Sequence, residues 1–363
     1  MAILKKITHE ILSPSRSVQT TKELDGLRGI AIIIVFLGHI LHLDPQLSPG
    51  IGSFAQVGVY LFFVLSAYLL TTITVNQFQK AFTPSILKNF FVRRAFRIFP
   101  MYYFTLLLVY FSPTFRNMMF GGRDIDWLDH ILFKYPQGNF WVISVELEFY
   151  LLIPILAYFI VVPKTRLGKC IPLIAFALLS LSLSEIMTHL FTFPLNFPHL
   201  LPYLSIFLFG VLIANIQYSF KVVLSQIPKM FWNLTFYFGI LCYLFLIPSI
   251  GIGFFSAEEI YNEYYSLIGA FASALVLISA LNGSGHVVKF LKFTYLRYIG
   301  IISYSIYLLH ILVMSYFAGS LYTNFGINLS VLFVWTLVTL LSTLTYLLVE
   351  RPFINRATKV TSL

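Results

Sequence analysis

The ionisable residues that most need explaining in this chain are His39, Glu146, Glu148, Glu185, His189 and His310, because each lies within an otherwise apolar stretch. In a membrane helix such a group costs about 2.5–3.5 kcal/mol or more, so it marks either a satisfied internal hydrogen bond or a working site. Imidazole, with an ordinary pKa of about 6.5, is suited to proton transfer near neutrality, and a carboxylate beside it can orient the ring. His39 follows Arg28 by eleven residues. At about 100° and 1.5 Å per residue that is close to three helical turns, so a cation and an imidazole share one face roughly 16 Å apart. Ser303, Tyr307 and His310 share a face by the same reasoning, as do Glu146 and Tyr150. His39 and His310 each sit roughly 20 Å above the inner end of their stretch, and Glu146 about 9 Å in from the opposite end, which brings all three to a common depth. Glu185 and His189, spaced i, i+4, are read as satisfying each other, and Glu148 as a helix-end residue.

A second group is basic. Arg93, Arg94 and Arg97 follow Lys88 just before an apolar stretch. Arg93 and Arg97 are one turn apart, so two planar guanidinium forks project from one face and suit a polyphosphate. Anchoring at a membrane surface places basic residues there as well.

These residues must be positioned by membrane helices. Of 363 residues 58% are hydrophobic and 10% charged, with a mean hydropathy of +0.85, against about 45–50% and 25% in soluble domains. Apolar stretches occupy residues 27–41, 57–73, 99–111, 140–162, 171–191, 200–216, 234–250, 264–281, 299–317 and 329–349. The expected fold is all-α and polytopic, with about ten transmembrane helices. If both ends are cytoplasmic, all 24 basic residues except Arg116, Arg123 and Lys134 fall on the inner side, which fixes an N-in, C-in orientation by the positive-inside rule. The net charge of +10 is thereby explained by orientation, and nucleic acid is excluded as a partner. Cys170 and Cys242 lie in separate apolar stretches, so neither a metal site nor a disulfide framework is expected. The first 22 residues lack the apolar run of a cleavable signal and are expected to form a cytoplasmic tail, followed by a membrane domain over 23–355 and a second tail over 356–363. Two segments on the outer side stand out. One carries Asp124, Asp126, Trp127, Asp129 and His130; the other carries Glu258, Glu259, Tyr261, Glu263, Tyr264 and Tyr265. Both read as solvated loops, although acidic and aromatic side chains together also hold sugars.

Six blocks in order carry a resemblance. They are Glu23-Leu-Asp-Gly-Leu-Arg-Gly with His39 after it, Gly58-Val-Tyr-Leu-Phe-Phe-Val-Leu-Ser66, and Arg93-Arg-Ala-Phe-Arg97-Ile-Phe-Pro100. They continue with Trp141-Val-Ile-Ser-Val-Glu146 through Pro154, Ser303-Tyr-Ser-Ile-Tyr-Leu-Leu-His310, and Glu350-Arg-Pro-Phe353. Together they resemble the acyltransferase 3 family of membrane acyltransferases over residues 24–353. The sequence departs from the family pattern at Tyr60, where Asp is usual, at Ala67, where Gly is usual, and at Glu146-Leu-Glu148, where Glu-Glu-Gln is usual. Many relatives carry an extracytoplasmic hydrolase-like domain, which this chain is expected to lack.

The resemblance implies an O-acyltransferase of a bacterial cytoplasmic membrane that moves an acyl group, usually acetyl, from cytoplasmic acyl-CoA to a hydroxyl of an envelope or exported carbohydrate or glycolipid. It implies donor phosphates at Arg28, Arg93 and Arg97, and His39, Glu146 and His310 as catalytic residues. His39 would act as general base or transient acyl carrier. The expected partners are acyl-CoA, the carbohydrate acceptor and membrane lipids, with no metal. The rival expectation is a proton-coupled transporter, since intramembrane His and Glu also build proton relays; neither repeated halves nor paired broken helices are legible to favour it.

Overall fold

The computed structural model describes residues 22–48, 53–120, 125–163, 199–247 and 258–361, with scattered positions between 165 and 182. Among the described residues every regular element is helical. In chain order the helices used below are α1 (Lys22–Ile40), α2 (Ala55–Phe78), α3 (Pro84–Phe111), α4 (Pro113–Phe120), α5 (Trp127–Ile131) and α6 (Trp141–Val161). They continue with α7 (Leu204–Ser219), α8 (Lys229–Phe245), α9 (Glu258–Asn282), α10 (Thr294–Ile301), α11 (Ser303–Thr345) and α12 (Arg351–Val360).

Among the described residues five helical segments are long and apolar enough to cross a membrane, or six if a bent pair counts as one span. The chain is an all-α integral membrane protein. The stretches at 27–41, 99–111 and 234–250 are also helical over 27–40, 99–111 and 234–245, in α1, α3 and α8. Their flanking charges or short length keep them out of that group. The stretch at 171–191 falls largely outside the described residues, as do Cys170, Glu185 and His189.

The chain divides into two compact units. One takes Met1–Ala55, Lys88–Phe140 and Leu291–Leu363; the other takes Gln56–Leu87 and Trp141–Phe290. In the first, α1 and α10 meet backbone to backbone. A Cβ on Gly29 would collide with the Leu296 carbonyl oxygen, and one on Gly300 with that of Asp25. Small residues permit this approach where any larger side chain would separate the helices. At Ile302 the chain turns by 76° between α10 and the start of α11. The expected stretch 299–317 is therefore a bent pair, with the turn placing the residues after Ser303 on a new axis. Helix α11 itself breaks at Gly326, whose φ of 76° suits glycine. After Thr345 a π-helical turn, Tyr346–Glu350, leads into α12. The segment expected as a tail from Arg356 is thus helical through Val360.

The second unit is organised by rings. Phe207 of α7 stacks on Phe63 of α2 at 4.4 Å and on Phe149 of α6 at 4.2 Å, and Trp141 lies 5.0 Å from Tyr203. Such pairs contribute about 0.5–1.5 kcal/mol each beyond the area they bury. Tyr243 of α8 donates to Ser273 of α9 at 2.8 Å. Glu258 to Tyr265, expected in a loop, form the first turns of α9.

Candidate active site

Helix α1 is unbroken from Lys22 to Ile40, so Arg28 and His39 do stand on one rigid rod about three turns apart. His310, on α11, meets His39 with ring centroids 5.1 Å apart and planes at 62°. These two residues, expected at one depth, are in contact. His39 Nδ1 lies 2.8 Å from the Val35 carbonyl oxygen, and His310 Nδ1 lies 2.6 Å from that of Tyr307. A carbonyl only accepts, so in the neutral rings both Nδ1 atoms carry the proton and donate it. Both Nε2 atoms are left with a lone pair. That of His310 is fully buried and has no hydrogen-bond partner among the described residues, which is costly unless a ligand supplies one. Asn139 donates through Nδ2 to the Tyr307 carbonyl at 2.8 Å and so helps to fix the backbone that holds His310.

Below the histidines lies a charged cluster. Arg97 of α3 donates to Glu350, and the other carboxylate oxygen of Glu350 accepts from the Ser305 hydroxyl at 2.9 Å. Glu350 is 0% exposed and Arg97 27%. Arg28 also acts electrostatically on this carboxylate. The Tyr304 ring centroid lies 5.8 Å from the Arg97 guanidinium carbon, within the range of a cation–π contact. Ser305 precedes His310 by five residues, about 7.5 Å of helix rise, so the ion pair sits close beneath the imidazoles. One turn before Arg97, Arg93 is half-buried and donates through Nε to the Thr361 hydroxyl at 2.8 Å.

Glu146 belongs to the second unit, where its carboxylate accepts from Tyr150 at 3.1 Å. Glu148 does more than end a helix: its two oxygens take His199 Nδ1 and the Leu200 N–H, each at 2.8 Å. Neither that pairing nor the Glu350 ion pair was legible in sequence. The available signal for Glu350 was a carboxylate at the end of an apolar stretch, where an unpaired charge is expensive.

The segment between α3 and α6 places His130 in a buried structural position. Its Nδ1 lies 3.1 Å from the Asp126 carbonyl oxygen and its Nε2 accepts from the Gln137 N–H at 3.0 Å. Asp126 caps α5 by accepting from Leu128 N–H at 2.8 Å. Burial lowers the His130 pKa from its ordinary value. With both ring nitrogens engaged, His130 is not available to a sugar. Asp124 lies outside the described residues.

Among the described residues no three or more His, Cys, Asp or Glu side chains group in a way that could hold a metal ion. The chemistry on offer is proton transfer at paired imidazoles and anion binding at arginines.

Comparison with known proteins adds a family. The acyltransferase domain Acyl_transf_3 matches residues 21–350. A Staphylococcus aureus (strain COL) protein provisionally named an O-acetyltransferase is 26% identical over 358 residues, covering 91% of this chain and 56% of the relative. The O-acetyltransferase OatA of S. aureus (strain NCTC 8325 / PS 47) is 27% identical over 363 residues, covering 93% of this chain and 57% of the relative. The chain thus spans little more than half the length of these relatives. No solved structure matches it.

Proposed function

The chain belongs to the acyltransferase 3 family, and from that premise we propose that it transfers an acetyl group from cytoplasmic acetyl-CoA to a hydroxyl of an envelope or exported carbohydrate. The observation that carries this reading is the contact between His39, on the same rod as Arg28, and His310, whose buried Nε2 has no hydrogen-bond partner among the described residues, close above the Arg97–Glu350 pair. In this reading about ten helices span the cytoplasmic membrane with both ends inside, as the distribution of basic residues favours. Donor phosphates bind at Arg93, Arg97 and Arg28 near the inner face, and the pantetheine arm rises beside α1. The acceptor arrives from the outer side.

The reacting atom of His39 is Nε2, because Nδ1 is occupied by Val35. As general base, Nε2 takes the proton of the acceptor hydroxyl while its oxygen attacks the thioester carbonyl. The carbon–sulfur bond then breaks, and the leaving thiolate recovers the proton from the imidazolium. If the ring carries the acyl group instead, the same Nε2 attacks the thioester carbonyl and expels the thiolate, and the acceptor hydroxyl then takes the acyl group from the ring as its proton passes to the thiolate.

The test is incubation of purified protein with labelled acetyl-CoA and membrane glycolipid, scored as alkali-labile ester on the glycan. His39→Ala should reduce transfer by about 10²–10⁴-fold, the usual contribution of a general base, with coenzyme A affinity near wild type. No ester from the wild-type protein would refute the activity. A loss under about tenfold in a folded His39→Ala protein, well below that range, would move the assignment away from His39.

A further inference from the structure

Two arginines of the proposed donor site, Arg93 and Arg97, are gripped by one short segment more than 250 residues further along the chain. Glu350 takes Arg97. One helix later Thr361 takes Arg93: its hydroxyl accepts from Arg93 Nε at 2.8 Å while donating to the Ala357 carbonyl at 2.9 Å. Asn89, one turn before Arg93, donates to the Thr361 carbonyl at 3.4 Å. Thr361 and Ala357 are both buried, and Phe353 meets Phe96 with ring centroids 6.2 Å apart. Asn89, Arg93 and Arg97 thus form one face of α3, and α12 lies along it.

Geometry says what this achieves. A guanidinium offers a fork of two terminal nitrogens and a separate Nε–H. In Arg93 the Nε–H is the group that Thr361 takes, and among the described residues it is the only part of the guanidinium in a hydrogen bond. The terminal edge is left for a bidentate anion. Tying Nε also removes rotamers that the long side chain would otherwise have to surrender on binding. We propose that Thr361, with Glu350, is a positioning residue of the donor site: it aims the Arg93 fork at a phosphate of the acyl donor. This rests on the reading of Arg93 as a donor-binding residue.

The test uses the full chain, purified in detergent, with coenzyme A as the binding probe and acetyl-CoA and S-acetylpantetheine as alternative donors. Thr361→Val should weaken coenzyme A binding and raise the KM for acetyl-CoA by about 3- to 10-fold, the scale of one lost hydrogen bond, with kcat unchanged. The KM for S-acetylpantetheine, which has no phosphate, should not move. Thr361→Ser, which keeps the hydroxyl, should restore most of the affinity. Arg93→Ala provides the separation of outcomes. If Arg93→Ala weakens coenzyme A binding and Thr361→Val does not, the positioning role is overturned and the donor reading stands. If Arg93→Ala leaves affinity unchanged, the donor reading fails and takes the proposal with it. Equal losses for both donors in Thr361→Val would assign Thr361 to general packing of α12 and also overturn the proposal.

Discussion

Replacing Arg97 by alanine should damage the fold before it informs on the chemistry. Glu350 is fully buried, with Arg97 on one oxygen and the Ser305 hydroxyl on the other. Truncating Arg97 leaves a buried carboxylate holding a single neutral hydrogen bond, and removing one partner of such a pair costs about 3–5 kcal/mol. Arg97→Ala/Glu350→Gln removes both charges, and the new side-chain amide retains an oxygen for Ser305. The residual cost should fall to about 1–2 kcal/mol, that of an imperfectly satisfied neutral group. The double variant should therefore be more stable than Arg97→Ala by about 1–4 kcal/mol. Equilibrium unfolding in mixed detergent micelles, followed by helical circular dichroism, measures the cycle. A stable Arg97→Ala protein, or a double variant no better than the single one, would refute the claim that Glu350 depends on Arg97. The practical outcome is that donor binding at Arg97 is best tested in the Glu350→Gln background.

Two further outcomes are expected. Because burial lowers the His130 pKa, the unfolded chain takes up this proton first as the medium is acidified. Its contribution to stability is therefore complete above about pH 6.5, the unperturbed value, and is lost progressively as pH falls toward the folded value; melting at pH 8 and pH 5 should differ less in His130→Gln than in wild type, and equal differences would refute the role. In the proposed orientation, cysteine in place of the exposed Lys134 should react with an impermeant thiol reagent in intact cells and cysteine in place of Lys221 should not, the reverse pattern overturning the topology.

The parts of this site legible in sequence are those that one helix determines alone. The alignment of Arg28 with His39 follows from helical pitch, and α1 is straight enough to keep it. The meeting of His39 with His310 was reachable from depth, because both residues had to find polar company at the same level. The bend at Ile302 is not legible, since no proline marks it and Gly300 and Ser303 beside it are common within apolar helices as well. Nor were the partners of Arg93 and Arg97, which depend on how the end of α11 and α12 return to α3. The segment 258–265 looked like loop because its acidic and aromatic composition has no apolar stripe, whereas helix α9 begins before its apolar part does. Glu148 reads as a terminal residue in sequence because its partner, His199, is 51 positions away.

In the proposed reaction, the backbone contact between α1 and α10 bears on which donors are accepted. With Gly29 and Gly300 each set against a backbone carbonyl of the facing helix, the rod that bears Arg28 and His39 has little room to slide or tilt against its neighbour. The span from cation to imidazole then works as a fixed gauge. In the proposed reaction it measures the donor from phosphate to thioester, a length that every acyl-CoA shares whatever acyl group it carries. The rod is thus a gauge for the carrier, and any preference among acyl groups has to be read by side chains beyond the His39 ring.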